Sequence, residues 1–297
     1  MSVDEPPREP PRQRISPITF PSEPLTLPKP RDDEPQIIRD AFRETAFALG
    51  LDQRWLLDAL ALQRKIVDQS AHSRYRKRTY ASALLFWSRV HQAGIDLLSM
   101  SSRASYGSCL PLVRAALEWL GAEQAVVGEE QIEFEDWLRD AWGNNSEHHA
   151  TDVGMGQYMA GQQIAMAPET ADAYRAASEL GRSHFGAAAL LTAAESHDKR
   201  FLVNWADSSF HLGWAQLLLG WQIVIQDRQC RFAVGSGLFG VEAEDRAAYQ
   251  RLHRSAQSLL SDARRCRASW VIEQGRQRLL IENFRRQPSG APKRFLL

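Results

Sequence analysis

From Gln36 onward, apolar residues recur at intervals of three and four, the spacing that lines one face of an α-helix. The pattern predicts helices over 36–49, 52–69, 74–100, 109–127, 130–142, 169–184 and 208–226. Several boundaries carry matching end chemistry: Leu51-Asp52 closes one run and offers an N-cap to the next, Pro168 suits a first helical position, and Asp207 caps the run starting at Ser208. Pro111 either opens the fourth helix or kinks it. Residues 143–167 hold Gly143, Asn144, Asn145, Gly154, Gly156 and Gly161 and read as a long loop with a short helix near Tyr158. Strand signals are confined to Arg200–Val203 and Cys230–Val234. Strands do not alternate with helices and no fixed-period repeat occurs, which argues against an α/β fold and a solenoid.

The stretch 246–286 shows one further pattern. Set at 100° per residue, Ala248, Leu252, Leu259, Ala263, Cys266, Trp270, Leu280, Ile281 and Phe284 share one side, and none of the segment's ten arginines falls inside that arc. The reading is an amphipathic helix, unbroken or interrupted at Gly275; unbroken, it would run about 60 Å. Cys266 and Glu273 stand on its seam at heptad spacing, which favours docking on the bundle over a dedicated coiled coil. The expected fold is all-α: a multi-helix bundle over residues 36–286 that ends in a long basic amphipathic helix, with a flexible tail over 287–297.

Composition adds a leader and a polarity. Ten of the fourteen prolines lie in residues 1–35 among Arg, Glu and Asp, so a disordered or polyproline-like tail is expected there. This leader lacks the apolar core of a secretory signal. The three cysteines, Cys109, Cys230 and Cys266, neither form a disulfide scaffold nor show C-x-x-C spacing, and a cytoplasmic location is the expectation. Lys plus Arg equals Asp plus Glu at 36 each, yet residues 246–297 hold twelve basic and three acidic side chains, net +9, against −9 for the remainder. Such a segment either binds RNA or docks on the acidic remainder of its own fold. Arginine outnumbers lysine 31 to 5, a usage that often follows genome base composition, so arginine count alone names no partner. Ser208–Gln226 runs nineteen residues without formal charge, but its Ser208, Ser209, His211, Gln216 and Gln222 favour a core helix over a membrane span.

Candidate chemistry is sparse. Gly235-Ser-Gly-Leu-Phe-Gly240 matches G-x-G-x-x-G but lacks the second strand and acid of a dinucleotide fold, so it reads as a flexible loop and no cofactor is expected. No H-x-x-x-H occurs, His148 and His149 adjoin Glu147 on a polar loop, and a metal site would need His91, His148 and His184 to converge from separate elements; none is expected. Arg114 and Glu118 stand four apart beside the seam Leu110, Val113, Leu117 and Leu120. A half-buried guanidinium there would need the carboxylate and still offer donors to an anion. His184, in Leu180-Gly-Arg-Ser-His184, ends a helix whose terminal carbonyls favour the protonated imidazole. Arg114, Glu118 and His184 are the candidate catalytic residues.

Between Tyr75 and Gln226 there follow in order a long helix, a second helix with Arg-x-x-x-Glu after small residues, and a Tyr-containing helix ending near Ser-His. The residues in question are Arg114, Glu118, Tyr174, Ser183 and His184. This order resembles uncharacterised bacterial all-helical domains related in shape to the HEPN superfamily. Many HEPN proteins are metal-independent ribonucleases of toxin or defence systems, whose signature sets four to six residues between Arg and His; Arg246 and His253, with six between them, give one formal match. The resemblance implies an imidazole that moves a 2′-OH proton and an arginine that stabilises phosphate charge. The residues read by themselves favour a helical module that forms a homo-oligomer or binds a protein partner, with nine tryptophans and the last helix as surface.

Overall fold

The computed structural model describes residues 19–21, 24–71, 78–128 and 167–297. Among these residues the chain forms α1 (Gln36–Ala71), α2 (Arg78–Ser102), α3 (Tyr106–Gly128), α4 (Ala171–Leu180), α5 (Phe185–Thr192), α6 (Leu212–Gly235) and α7 (Ala243–Ser261). A sheet of β1 (Arg267–Glu273), β2 (Arg276–Phe284) and β3 (Lys293–Leu296) follows. Residues 1–18, the helix expected over 130–142, the loop over 143–166 and His148 lie outside the described residues.

α1 merges two expected helices. Leu49 leaves helical geometry (φ −132°, ψ 27°) just before Gly50, so the boundary expected at Leu51-Asp52 becomes a kink. Asp52 is buried and caps nothing; its Oδ1 lies 2.6 Å from the guanidinium of Arg265. α2 and α3 are joined by Ala104 at φ 60°, with Ser105 N–H donating to the Met100 carbonyl at 2.9 Å, the Schellman closure that usually employs glycine. α3 starts at Tyr106, ahead of Pro111, which therefore sits inside the helix.

The charge-free stretch becomes the centre of the molecule. α6 buries Trp214, Leu218, Leu219, Ile223 and Ile225 against α1, α2, α3 and α7. It continues through Cys230–Val234, where a strand had been one reading: buried Cys230 and Ala233 extend its helical stripe. At Arg200 there is only an isolated bridge to His197, not a strand. No helix of the described residues is long and apolar enough to cross a membrane.

The C-terminal segment departs from the all-α expectation. The basic helix stops at Ser261, and residues 267–296 form an antiparallel sheet in the order β1-β2-β3. Gln274 and Gly275, both at positive φ (50° and 74°), make a two-residue hairpin turn with Glu273 opposite Arg276. The helical arc fails in this very stretch: between Trp270 and Leu280 it would hold Glu273 and Gln277, while Val271, Ile272 and Leu279 fall outside it. Residues 287–297 are not a free tail, since β3 pairs with β2 and Leu279 and Leu297 exchange backbone hydrogen bonds at 3.0 and 2.9 Å.

The sheet completes α6. The first amides of α6, on Leu212 and Gly213, donate to the carbonyls of Arg286 and Arg285 at 2.8 and 2.9 Å, satisfying donors that a helix start leaves open. Gly213 permits this approach, because a Cβ there would stand 2.8 Å from the Phe284 ring. Fully buried Phe284 meets Trp214 and Phe295 edge-on, each with ring centroids 5.5 Å apart. Much of the basic segment is consumed internally: Arg265 pairs with Asp52, Arg286 with Asp207 at 2.7 Å and Lys293 with Glu195 at 2.9 Å. Other arginines donate to backbone carbonyls, Arg278 to Leu297 and Arg285 to Arg264. Docking on the acidic remainder therefore accounts for Arg265, Arg286 and Lys293.

The leader is anchored where it is described. Phe20 lies under the Arg64 guanidinium at 5.4 Å, and buried Glu34 pairs with Arg103 at 3.0 Å. For residues 19–21 and 24–35 the expected disorder is thus replaced by an irregular strap, held by Arg64 of α1 and by Arg103 just after α2.

Candidate functional site

The structure brings together Arg114, Glu118 and Tyr174. Arg114 Nε donates to Glu118 Oε1 at 3.1 Å along α3, and the Tyr174 hydroxyl of α4 donates to the same oxygen at 2.8 Å. The guanidinium also lies 5.9 Å from the Tyr174 ring centroid. Burial, then the bond to Glu118, raises the Tyr174 pKa, while the Glu118 contact raises that of Arg114. The arrangement ties α4 to α3 through one shared carboxylate oxygen.

His184 has other partners. Its Nδ1 accepts from the Ala187 N–H at 3.2 Å, capping α5, and its Nε2 faces the Glu179 carbonyl at 3.1 Å. With Nδ1 accepting, Nε2 is the ring nitrogen that can donate to that carbonyl. Neither Arg114 nor Glu118 is among these partners. Arg246 and His253 are likewise turned to different partners: Arg246 donates to the Val234 carbonyl at 2.9 Å, and His253 Nδ1 lies 3.0 Å from both Asp227 oxygens.

Other reactive groups are spoken for. Burial pushes the thiols of Cys109, Cys230 and Cys266 up to about 12, so none is a ready thiolate. The Gly235–Gly240 loop packs buried Phe239 against Trp87 and Tyr80, with ring centroids 4.7 and 5.3 Å away, and its Gly240 N–H donates to Ser70 Oγ. Among the described residues no three His, Cys, Asp or Glu side chains gather as metal ligands.

Two features were not legible in the sequence. Glu169, just before α4, bridges Arg228 and Arg231 of α6 at the rim of a cleft of about 590 Å³. The second feature is a set of exposed apolar side chains. Trp205 is 91% exposed and Phe47 90%, accompanied by exposed Leu51, Phe201 and Val203. The loop carrying Trp205 is held: Asn204 N–H donates to the Thr192 carbonyl at 2.7 Å, and Ser196 Oγ exchanges hydrogen bonds with Leu202 at 3.0 and 3.2 Å. Asp207, two residues after Trp205, pairs with Arg286; the next residue, Gln287, donates to Glu44, one turn before Phe47. Residues two and three positions from the exposed aromatics, Asp207 and Glu44, thus bond to the segment 286–287.

No family model matches this sequence, and neither a curated protein nor a solved structure matches it.

Proposed function

We propose that this protein acts by associating with a second copy of itself, through the face that carries Trp205, Phe201, Phe47 and Leu51. The observation that supports the reading is the 91% exposure of Trp205 on a loop whose backbone is pinned. A solvated indole forgoes the burial that drives association, and a loop already held in place loses little entropy when it docks. Trp and Phe are the side chains enriched at interface cores. A second copy suits the face because the chain has zero formal net charge, so identical molecules meet without long-range repulsion. A two-fold pairing would present the same patch from both sides. Light scattering of the intact protein should give twice the 33.6 kDa chain mass, and Trp205→Ala should give the single-chain mass with an unchanged far-ultraviolet spectrum. A wild type that stays at single-chain mass up to high concentration, or a variant that remains double, would overturn the reading.

A further inference from the structure

The cleft between α3, α6 and the segment before α4 is independent of the association face. Arg228 and Arg231 line it three positions apart on α6, and the Glu169 carboxylate spans them, Oε2 to Arg228 Nη1 and Oε1 to Arg231 Nη1, each at 3.0 Å. The remaining nitrogens are steadied from behind: Arg228 Nη2 donates to Gln124 Oε1 at 3.3 Å, and Arg231 Nη2 lies 3.7 Å from Asp227 Oδ2. Asp227 is held in turn by His253 at 3.0 Å. The positively charged fork is therefore fixed by groups other than the anion it holds.

The burial pattern is unequal. The side chain of Arg228 is 17% exposed, whereas that of Glu169 is 51% exposed. The carboxylate can rotate into solvent without disturbing the helix that carries the arginines. Two guanidinium groups converging on one oxyanion form the geometry by which proteins hold phosphate as well as carboxylate. The cleft of about 590 Å³ continues from this fork past Phe232 and Ser236, an apolar ring and a hydroxyl, and falls within the size range of small-ligand sites.

We infer that this cleft binds a small organic phosphomonoester, with the phosphate on Arg228 and Arg231, the organic part along Phe232, and Glu169 as a built-in competitor standing where the phosphate would sit. An Arg pair alone would serve stability; the exposed, displaceable carboxylate beside an open cleft is what points to a ligand.

Calorimetric titration of the full chain with inorganic phosphate, adenosine and adenosine monophosphate tests this. Adenosine monophosphate should bind more tightly than phosphate, and adenosine should not bind. Glu169→Gln should tighten the monophosphate roughly tenfold by removing the competitor, and Arg231→Gln should weaken it by at least about tenfold. Circular dichroism should show both variants folded, since each substituted side chain is half-exposed. Absence of binding to Glu169→Gln at about 10 mM adenosine monophosphate would overturn the proposal. So would equal affinity for phosphate and adenosine monophosphate, or an affinity that neither substitution changes.

Discussion

The same side chain, tryptophan, is treated in opposite ways in two regions of this molecule. Trp87 is 1% exposed, and its indole N–H donates to Gln63 Oε1 at 2.9 Å. Gln63 in turn donates to Gln226 Oε1 at 2.7 Å, Gln229 donates to Glu123, and Gln222 donates to the Gly94 carbonyl, so the buried amides facing α6 are linked to partners. Trp205, by contrast, meets water on nearly every side. The interior ties these amides to partners, while indole and phenyl rings are left solvated at the surface. The contrast separates two demands on the sequence: burial at α6 serves stability, and exposure at Trp205 serves contact.

The sharpest way to break this comparison is to truncate both tryptophans. Trp87→Ala should lower unfolding stability by about 3–5 kcal/mol in urea denaturation, whereas Trp205→Ala should stay within about 0.5 kcal/mol of wild type. Similar losses from both would mean that Trp205 is a core residue.

Acid should act on the interior next. Burial pushes His91 and His211 down to about 4 from 6.5, with Arg64 and Arg286 as the further causes. An imidazole whose folded pKa lies below its unfolded value gives stability that is complete above the unfolded value and lost as pH falls toward the folded one. Stability should therefore decline between pH 6.5 and pH 4, by on the order of 3 kcal/mol for each histidine. Glu123 opposes the trend, because burial raises its pKa and its share is lost as pH rises past 4.5. Comparing wild type with His91→Gln over this window isolates the histidine contribution: the variant should show a flatter decline, and identical slopes would contradict the assignment.

A smaller effect is expected where sheet meets helix. Gly213→Ala sets a Cβ against Phe284 and should cost about 1–3 kcal/mol, read as a lower urea midpoint. No loss would mean that the sheet does not seat closely on α6.

How much of this was visible beforehand depends on contact range. The helices carrying strong three- and four-residue periodicity were legible, and α6 was recognisable as core from its polar residues, because both signals are local. The hairpin was missed although Gln274-Gly275 marks it; the consecutive Leu279, Leu280 and Ile281 lack the alternation of a half-buried strand, and the flanking helix lent them its phase. Arg114 and Glu118 were found because an i, i+4 pair meets on any helix, and Tyr174 joined them through tertiary packing. Glu169 with Arg228 and Arg231 could not be found that way, since those bonds cross 59 and 62 residues. Exposure of Trp205 had no local mark at all: Arg200–Val203 reads as a short strand, and only the folded chain shows that its loop faces outward.

The central claim concerns a location as well as a stoichiometry, so backbone hydrogen exchange at two protein concentrations tests it most directly. In the wild type, amides of residues 199–206 and 44–51 should exchange more slowly at high concentration than at low, while in Trp205→Ala their rates should not depend on concentration. Unchanged wild-type rates in both segments, with protection rising elsewhere or nowhere, would contradict the account.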